Sequence, residues 1–210
     1  EEMNARGECA PYRYPQEVLS RISSLMLGAK KAAGTEMDVV VAANMNLSTD
    51  GMTYLALRCQ RSRLTLLENP MALRHLSEQG SARKEFGQPL GFGGDYHTTE
   101  DFVQGIKKKA GTVLVPDAGR IGGVTMLART TDLAKEAKLN VAPLVQGGPF
   151  SLLAVARSLF GRKEVLWVTS SYLDEWLKEE GVFKLPLQLE KGSLISKSCE
   201  IDETKFQVKR

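Results

Sequence analysis

The sequence predicts an α/β (α+β) sandwich in which helices flank a small mixed sheet and a C-terminal helix and an extension follow. Short apolar runs alternate with amphipathic stretches from residue 15 to about residue 140, which is the pattern of alternating strands and helices. Residues 39–43 form a continuous, mostly β-branched run, typical of a strand that is covered on both faces. The sequence shows no internal repeat and no low-complexity tract, so the prediction of the fold depends on the order of strands and helices.

Each predicted element rests on apolar spacing or on a terminal signal. Pro15 suits the first turn of a helix whose apolar residues share one face. Asn69 and Pro70 suit the cap and first position of a later helix, and residues 98–101 resemble a capping box. The apolar face of the first helix contains Val18, Leu19, Ile22, Leu25 and Met26. The predicted strands lie at 39–43, 64–67, 89–92, 112–115 and 165–168. Four predicted helices begin near Pro15, Ser48, Pro70 and Thr99. A fifth covers 149–161, and a sixth begins at a second capping box, 171–174.

Composition argues against several classes of protein. Lys and Arg number 28 against 25 Asp and Glu, a net charge of +3 that is too mild to establish nucleic-acid binding by itself. Cys9, Cys59 and Cys199 are odd in number and far apart, which favours a reducing compartment over a disulfide framework or a metal-ligand pair. No apolar run is long enough to span a membrane. The chain starts with Glu1, so we expect either a removed N-terminal segment or a shortened chain.

No set of residues predicts catalysis. Glycine clusters at 87–94 and 119–123 match neither phosphate-binding glycine pattern, so turns are the simpler interpretation. His75 has no ligand at i+4 on its predicted helix and His97 lies just before a helix N-cap, so surface or satisfied histidines are the simpler interpretation. We therefore expect a protein that is not an enzyme and that uses neither a cofactor nor a metal.

A cluster of arginines is the one candidate site. Arg58, Arg61 and Arg63 surround the turn from a predicted helix into a strand, and Arg74 lies in the next helix. The planar guanidinium group suits bidentate contact with phosphate oxygens. Charge alone leaves two interpretations open, a phosphate-binding surface and solvated arginines without a ligand.

The predicted helix at 149–161 carries apolar residues on more than one stripe. They include Leu152, Leu153, Ala156, Leu159 and Phe160. Such a helix either packs on its own domain or docks partner helices through apolar anchors in a groove.

Several segments resemble the ribosomal stalk-base protein family, the tenth protein of the large ribosomal subunit, in its mitochondrial form. The matching segments, in the family's order, are 46–48 (Asn-Leu-Ser), 52–55 (Met-Thr-Tyr-Leu), 66–74 (Leu-Leu-Glu-Asn-Pro-Met-Ala-Leu-Arg), 86–90 (Phe-Gly-Gln-Pro-Leu) and 143–147 (Pro-Leu-Val-Gln-Gly). The resemblance covers about residues 15–162. One departure is Glu68, which stands where the family has a lysine.

The resemblance implies a structural protein of the large mitochondrial ribosomal subunit, located in the mitochondrial matrix. Arg58, Arg61, Arg63, Asn69 and Arg74 would contact large-subunit rRNA at the stalk base, beside the eleventh large-subunit protein. The apolar helix would anchor dimers of the acidic stalk protein, which recruit translational GTPases, and no membrane would be involved. The implied divisions are an arm at 1–14, an rRNA-binding domain at 15–147, a docking helix at 148–162 and an extension at 163–210.

Two other functions stay open. A ribosome-assembly factor would occupy the same rRNA site without binding stalk dimers. A small α/β nucleotide-binding enzyme would use the glycine-rich loop at 91–94, and thermal stabilisation by a nucleotide would distinguish it.

Overall fold

A computed structural model describes residues 14–45, 47–59, 62–170, 188–191 and 193–195. The helices are α1 (Gln16–Ala33), α2 (Thr49–Cys59), a 3-10 turn (Leu73–His75), α3 (Leu76–Phe86), α4 (Thr99–Lys107), α5 (Val124–Glu136) and α6 (Pro149–Ser158). The strands are β1 (Val40–Ala42), β2 (Leu66–Glu68), β3 (Leu90–Phe92), β4 (Val113–Leu114), β5 (Asn140–Val141), β6 (Leu144–Val145), β7 (Thr169–Ser170), β8 (Gln188–Glu190) and β9 (Ser193–Ile195). The helix predicted from 171–174 onward lies outside the described residues. Within them, no helix combines the length and the apolar character that a membrane span requires.

The first five strands form one parallel sheet in the order β1-β2-β3-β4-β5. Every connection between them contains a helix, and parallel pairing requires a crossover of about this length. The prediction of an α/β fold with a sheet flanked by helices is confirmed. The prediction that this sheet is mixed is wrong, because all of its strands are parallel; the antiparallel pair β8–β9 is separate from it.

The strand order never reverses, which is the topology of a (β/α) barrel rather than of a doubly wound sheet. The parallel arrangement of strands continues past β5, because Val141 forms a parallel bridge to Val165 and β6 pairs in parallel with β7. A single row of paired residues crosses the sheet, with one residue from each of the five strands. The residues paired in succession are Ala42, Glu68, Gly91, Val113 and Asn140.

Alternate strand residues face two different environments. Leu67 and Leu90 pack with residues of α1, α2 and α3, whereas Phe92 and Leu114 pack with residues of α4, α5 and α6. The opposite face of the sheet has its own cluster without helical residues, formed by Leu66, Val113, Val115, Ala142, Leu144 and Trp167. One face is covered by helices, and the other carries only side chains from the strands and the segments next to them, which is the arrangement of a barrel wall and its interior.

The terminal signals in the sequence place some helices correctly. The capping box at α4 is confirmed, since the Asp101 N–H donates to Thr98 Oγ1 and the Thr98 N–H donates to Asp101 Oδ2. In α1 the buried face is narrower than predicted. Leu19 and Met26 are buried there, but Leu25 is 66% exposed.

Helix α5 is not among the predicted elements. Its buried face contains Thr130 and Thr131 between Leu127 and Ala134, so the apolar stripe is interrupted in the sequence. The Thr131 hydroxyl donates to the Leu127 carbonyl oxygen one turn earlier, which satisfies a polar group that faces the core.

Candidate functional site

The carboxyl ends of β1 to β5 lie at one edge of the sheet, because the five strands are parallel. In barrels of alternating strands and helices, active sites lie at this edge. Glu68, the last residue of β2, is the one charged side chain in the register row described above. This edge is therefore the candidate site.

The Glu68 side chain is buried in an apolar part of the barrel wall. It is 3% exposed, and its Oε1 atom has no hydrogen-bond partner in the described part of the chain. Its neighbour across the sheet is Gly91, where an added Cβ would lie 3.4 Å from Glu68 Cγ and 2.7 Å from Val115 Cγ2. Loss of water around the carboxyl group raises the pKa of Glu68, because burial disfavours the charged form.

Asn69, the next residue, joins three strand ends. Its Oδ1 accepts a hydrogen bond of 2.9 Å from the Gly94 N–H after β3, and its carbonyl oxygen accepts one of 2.6 Å from the Met45 N–H after β1. Its backbone has a φ of 46°, in the left-handed region that asparagine tolerates better than most residues. Asn69 thus fixes the backbone beside Glu68.

The other carboxylates at this edge have backbone partners. Asp95 Oδ2 accepts a hydrogen bond from the Leu73 N–H at 2.8 Å, and Asp117 Oδ1 accepts one from the Gly119 N–H at 2.9 Å. Both side chains thereby order the loops that follow β3 and β4. Glu68 differs from them in having an oxygen without a hydrogen-bond partner among the residues that the structure describes.

The predicted arginine cluster is divided between the two ends of β2. Arg58 lies in the last turn of α2, with its guanidinium 5.4 Å from the Tyr54 ring centre, and Arg63 lies just before β2. Asn69 and Arg74 follow β2 and so lie towards its opposite end. Arg61 lies outside the described residues. The four described residues therefore do not lie on a single surface.

Helix α6 packs on its own domain. Leu152 and Leu159 are buried in the same core cluster as Phe92, and Leu153 is buried as well. Ala156 is half-buried, whereas Phe160 is 91% exposed and lies beyond the end of the helix. The anchors proposed for a partner helix are thus mostly used within the fold.

The glycine-rich loop after β3 is closely packed against the protein itself. A Cβ on Gly94 would lie 2.5 Å from Asn69 Nδ2, and one on Gly93 would collide with the Phe102 ring. These contacts explain the glycines without a nucleotide.

Comparison with protein families identifies one match. The model described as "enolase C-terminal domain-like" matches residues 17–198. A comparison of the sequence with curated proteins finds no match.

Solved structures share the fold at low sequence identity. A mandelate racemase/muconate lactonizing enzyme-like protein from Rubrobacter xylanophilus DSM 9941 is 18% identical with a TM-score of 0.81, over 91% of this chain and 50% of that one. L-Talarate dehydratase from Polaromonas sp. JS666, complexed with Mg and L-glucarate, is 21% identical with a TM-score of 0.67, over 89% and 46%. A racemase from Streptomyces coelicolor A3(2) with bound magnesium is 21% identical with a TM-score of 0.65, over 74% and 45%. The chain thus spans about half the length of these structures.

These matches overturn the ribosomal interpretation. The family model covers almost the whole segment that resembles the stalk-base protein, and it describes an enolase-type domain. The predicted rRNA, stalk-protein and GTPase partners and the assembly-factor alternative are therefore wrong. The expectation of a non-enzymatic protein is wrong as well, because the similar structures are racemases and dehydratases. A mitochondrial location stays a prediction.

The magnesium present in two of these structures does not fit the residues found here. Magnesium requires nearly octahedral coordination by oxygen atoms. Among the residues with described positions, no three His, Cys, Asp or Glu side chains come together. The two residues paired directly with Glu68, Ala42 and Gly91, offer no side-chain oxygen, and the one other polar residue of the row, Asn140, lies three strands away.

The sequence contained one signal for this site. Glu68 interrupts an apolar strand, and a charge at a strand position with buried neighbours is a functional hint. In the ribosomal interpretation it counted only as a departure from the family. Recognising it required the register, which places Glu68 beside Gly91.

Proposed function

Because the chain belongs to the enolase C-terminal domain-like family, we propose that it forms part of an enzyme active site that binds a small organic acid at the carboxyl ends of its parallel strands. The observation that supports this proposal is the Glu68 carboxyl group, which is buried at that edge with one oxygen unsatisfied. Buried polar atoms in proteins are nearly always hydrogen-bonded, and among the described buried atoms without a partner Glu68 Oε1 is the one that belongs to a carboxyl group at this edge.

The substrate class comes from the similar structures. One of them is complexed with L-glucarate, and another is described as mandelate racemase-like. Both compounds are 2-hydroxy acids, and their racemisation or dehydration involves moving a proton at the carbon next to a carboxylate. Enolase-superfamily enzymes pass through an ene-diolate in such reactions.

The residues of this chain would contribute binding and proton chemistry. Glu68 would donate or accept a proton at a ligand oxygen, since its raised pKa keeps the neutral form accessible. Asn69 would act as a positioning residue, because it holds the ends of β1 and β3 beside Glu68.

Hydrogen–deuterium exchange tests this function. The full-length protein is incubated in D₂O with mandelate or L-glucarate, and the α-proton signal is followed by NMR. We expect the signal to decay with the wild-type protein and to decay much more slowly with Asn69→Ala, whose loops lose their anchor. Glu136→Gln, an exposed change in α5, should leave the rate unchanged. If a folded wild-type protein neither exchanges nor binds any such acid, with or without magnesium, the proposed function is wrong.

A further inference from the structure

The side chains around Glu68 form an apolar environment. Leu66 and Val115 come within van der Waals reach of the space beside Gly91 that Glu68 also lines. On the same face of the sheet, Val113 and Ala142 are buried and Leu144 and Trp167 pack against them. Burying an isolated charge in such surroundings costs several kcal/mol, on the order of the desolvation penalties found for single ions in proteins. A neutral carboxyl group avoids this cost.

The oxygen atoms nearest along the chain are already engaged. Asn69 Oδ1 binds the Gly94 N–H, Asp95 Oδ2 binds the Leu73 N–H and Asp117 Oδ1 binds the Gly119 N–H. Each of these bonds fixes a loop at the carboxyl edge. Only the second oxygen of each aspartate is left outside these loop contacts.

A divalent cation would therefore find a poor site here. Its ligands must be deprotonated, and binding in the low-dielectric interior is favourable only when several of them share the charge. One carboxyl group supplies at most a single negative charge, and its burial in apolar surroundings disfavours that charge. The same group is well suited to hydrogen-bond a carboxylate, since an O–H donor to a charged oxygen makes a short and strong bond.

We propose that this barrel binds its organic acid through a hydrogen bond from the Glu68 carboxyl group, without a divalent cation. This inference rests on the proposed function, and it departs from the two similar structures that contain magnesium. In the complex, the Glu68 O–H donates to a carboxylate oxygen of the ligand, and Oε1, which has no partner in the described part of the chain, can accept from the ligand's hydroxyl group.

Calorimetric titration of the full-length protein with L-glucarate and with mandelate tests the inference. We expect equal dissociation constants in EDTA and in excess magnesium. Glu68→Leu keeps the bulk of the side chain and removes the donor, so affinity should fall by at least about tenfold. Glu136→Leu, on an exposed position of α5, serves as the control and should bind like the wild type.

A second measurement does not depend on the acid. Mn²⁺ is titrated into wild type and Glu68→Leu, and free Mn²⁺ is followed by electron paramagnetic resonance. The inference predicts the same free Mn²⁺ for both proteins. Acid binding that requires magnesium, or Mn²⁺ binding that Glu68→Leu abolishes, would overturn the inference and leave the proposed function standing. Absence of acid binding under all conditions would overturn both.

Discussion

At the residue scale, the position of Glu68 determines its chemistry. The side chain ends a strand whose other residues, Leu66 and Leu67, are fully buried. Because Gly91 on the next strand has no side chain, Glu68 lies beside Val115 rather than beside a polar partner. An isolated carboxyl group in this setting favours its protonated form. The raised pKa extends the pH range in which Glu68 can act as a hydrogen-bond donor.

The raised pKa of Glu68 makes stability depend on pH. Between its unfolded-state value and the raised folded-state value, the folded protein binds more protons than the unfolded chain, so the free energy of unfolding falls as pH rises. Glu68→Gln removes this dependence. At pH 8 we expect the variant to be more stable than the wild type by on the order of 1 kcal/mol or more, because the neutral amide avoids the cost of burying a charge.

Urea denaturation at pH 4.5 and pH 8 checks this expectation. The advantage of Glu68→Gln should shrink towards pH 4.5, where both states of the wild type keep more of the proton. Glu136→Gln, which is exposed, should show no comparable change. The compared quantity is the unfolding free energy of Glu68→Gln minus that of the wild type. If this difference were smaller at pH 8 than at pH 4.5, the assigned environment of Glu68 would be wrong.

Asn69 shows what residue-level pattern could and could not predict. Its place before Pro70 suggested a helix cap, and the ribosomal resemblance suggested an rRNA contact. In the structure it is 6% exposed and bonds to the Gly94 N–H, 25 positions along the chain. A contact between residues so far apart in sequence depends on strand pairing and leaves no local signal.

At the element scale, helices α1 and α4 show how packing governs the effect of a glycine. A Cβ on Gly105, in α4, would lie 2.5 Å from the Phe92 ring and 3.2 Å from the Tyr96 hydroxyl. Phe92 and Tyr96 are buried and in aromatic contact, with ring centres 6.1 Å apart, so neither can move easily. Gly28, in α1, has no atom within 4 Å of its Cβ position.

Alanine substitution should therefore have opposite effects in the two helices. We expect Gly105→Ala to destabilise the protein by about 1–3 kcal/mol through overpacking. Gly28→Ala should stabilise it by about 0.5–1 kcal/mol, because alanine is the better helix former. Thermal unfolding measures both, and a stabilising Gly105→Ala would show that α4 does not pack on β3 as described.

The elements that could be predicted are those with strong local signals. The capping box of α4 and the proline at the start of α6 both occur where the sequence indicates. Helix α5 lacks such a signal, since Gly123 precedes it and two buried threonines interrupt its apolar face. The short strands β5 and β6 were likewise not predicted, because Asn140 begins β5 and Pro143 separates the two strands, so neither has an uninterrupted apolar run like that around β4.

At the scale of the whole molecule, the ribosomal interpretation failed because it depended on the order of weak motifs. Strand–helix–strand order is common to many α/β proteins, and fold alone does not imply function. What distinguishes this chain is the uninterrupted order β1-β2-β3-β4-β5 with helices on one face, which emerges only from pairing between strands. The row of parallel strands β1 to β5 and the edge formed by their carboxyl ends then define the site.

Carbon-13 NMR of the Glu68 carboxyl group, in the full-length protein with and without L-glucarate, tests the central claim most directly. The resonance is assigned by its loss in Glu68→Gln. We expect a titration midpoint above the usual range for glutamate, because burial raises the pKa of Glu68, and a change in the Glu68 chemical shift when L-glucarate is added in EDTA. A midpoint at or below the usual value, together with a shift that L-glucarate leaves unchanged, would contradict it.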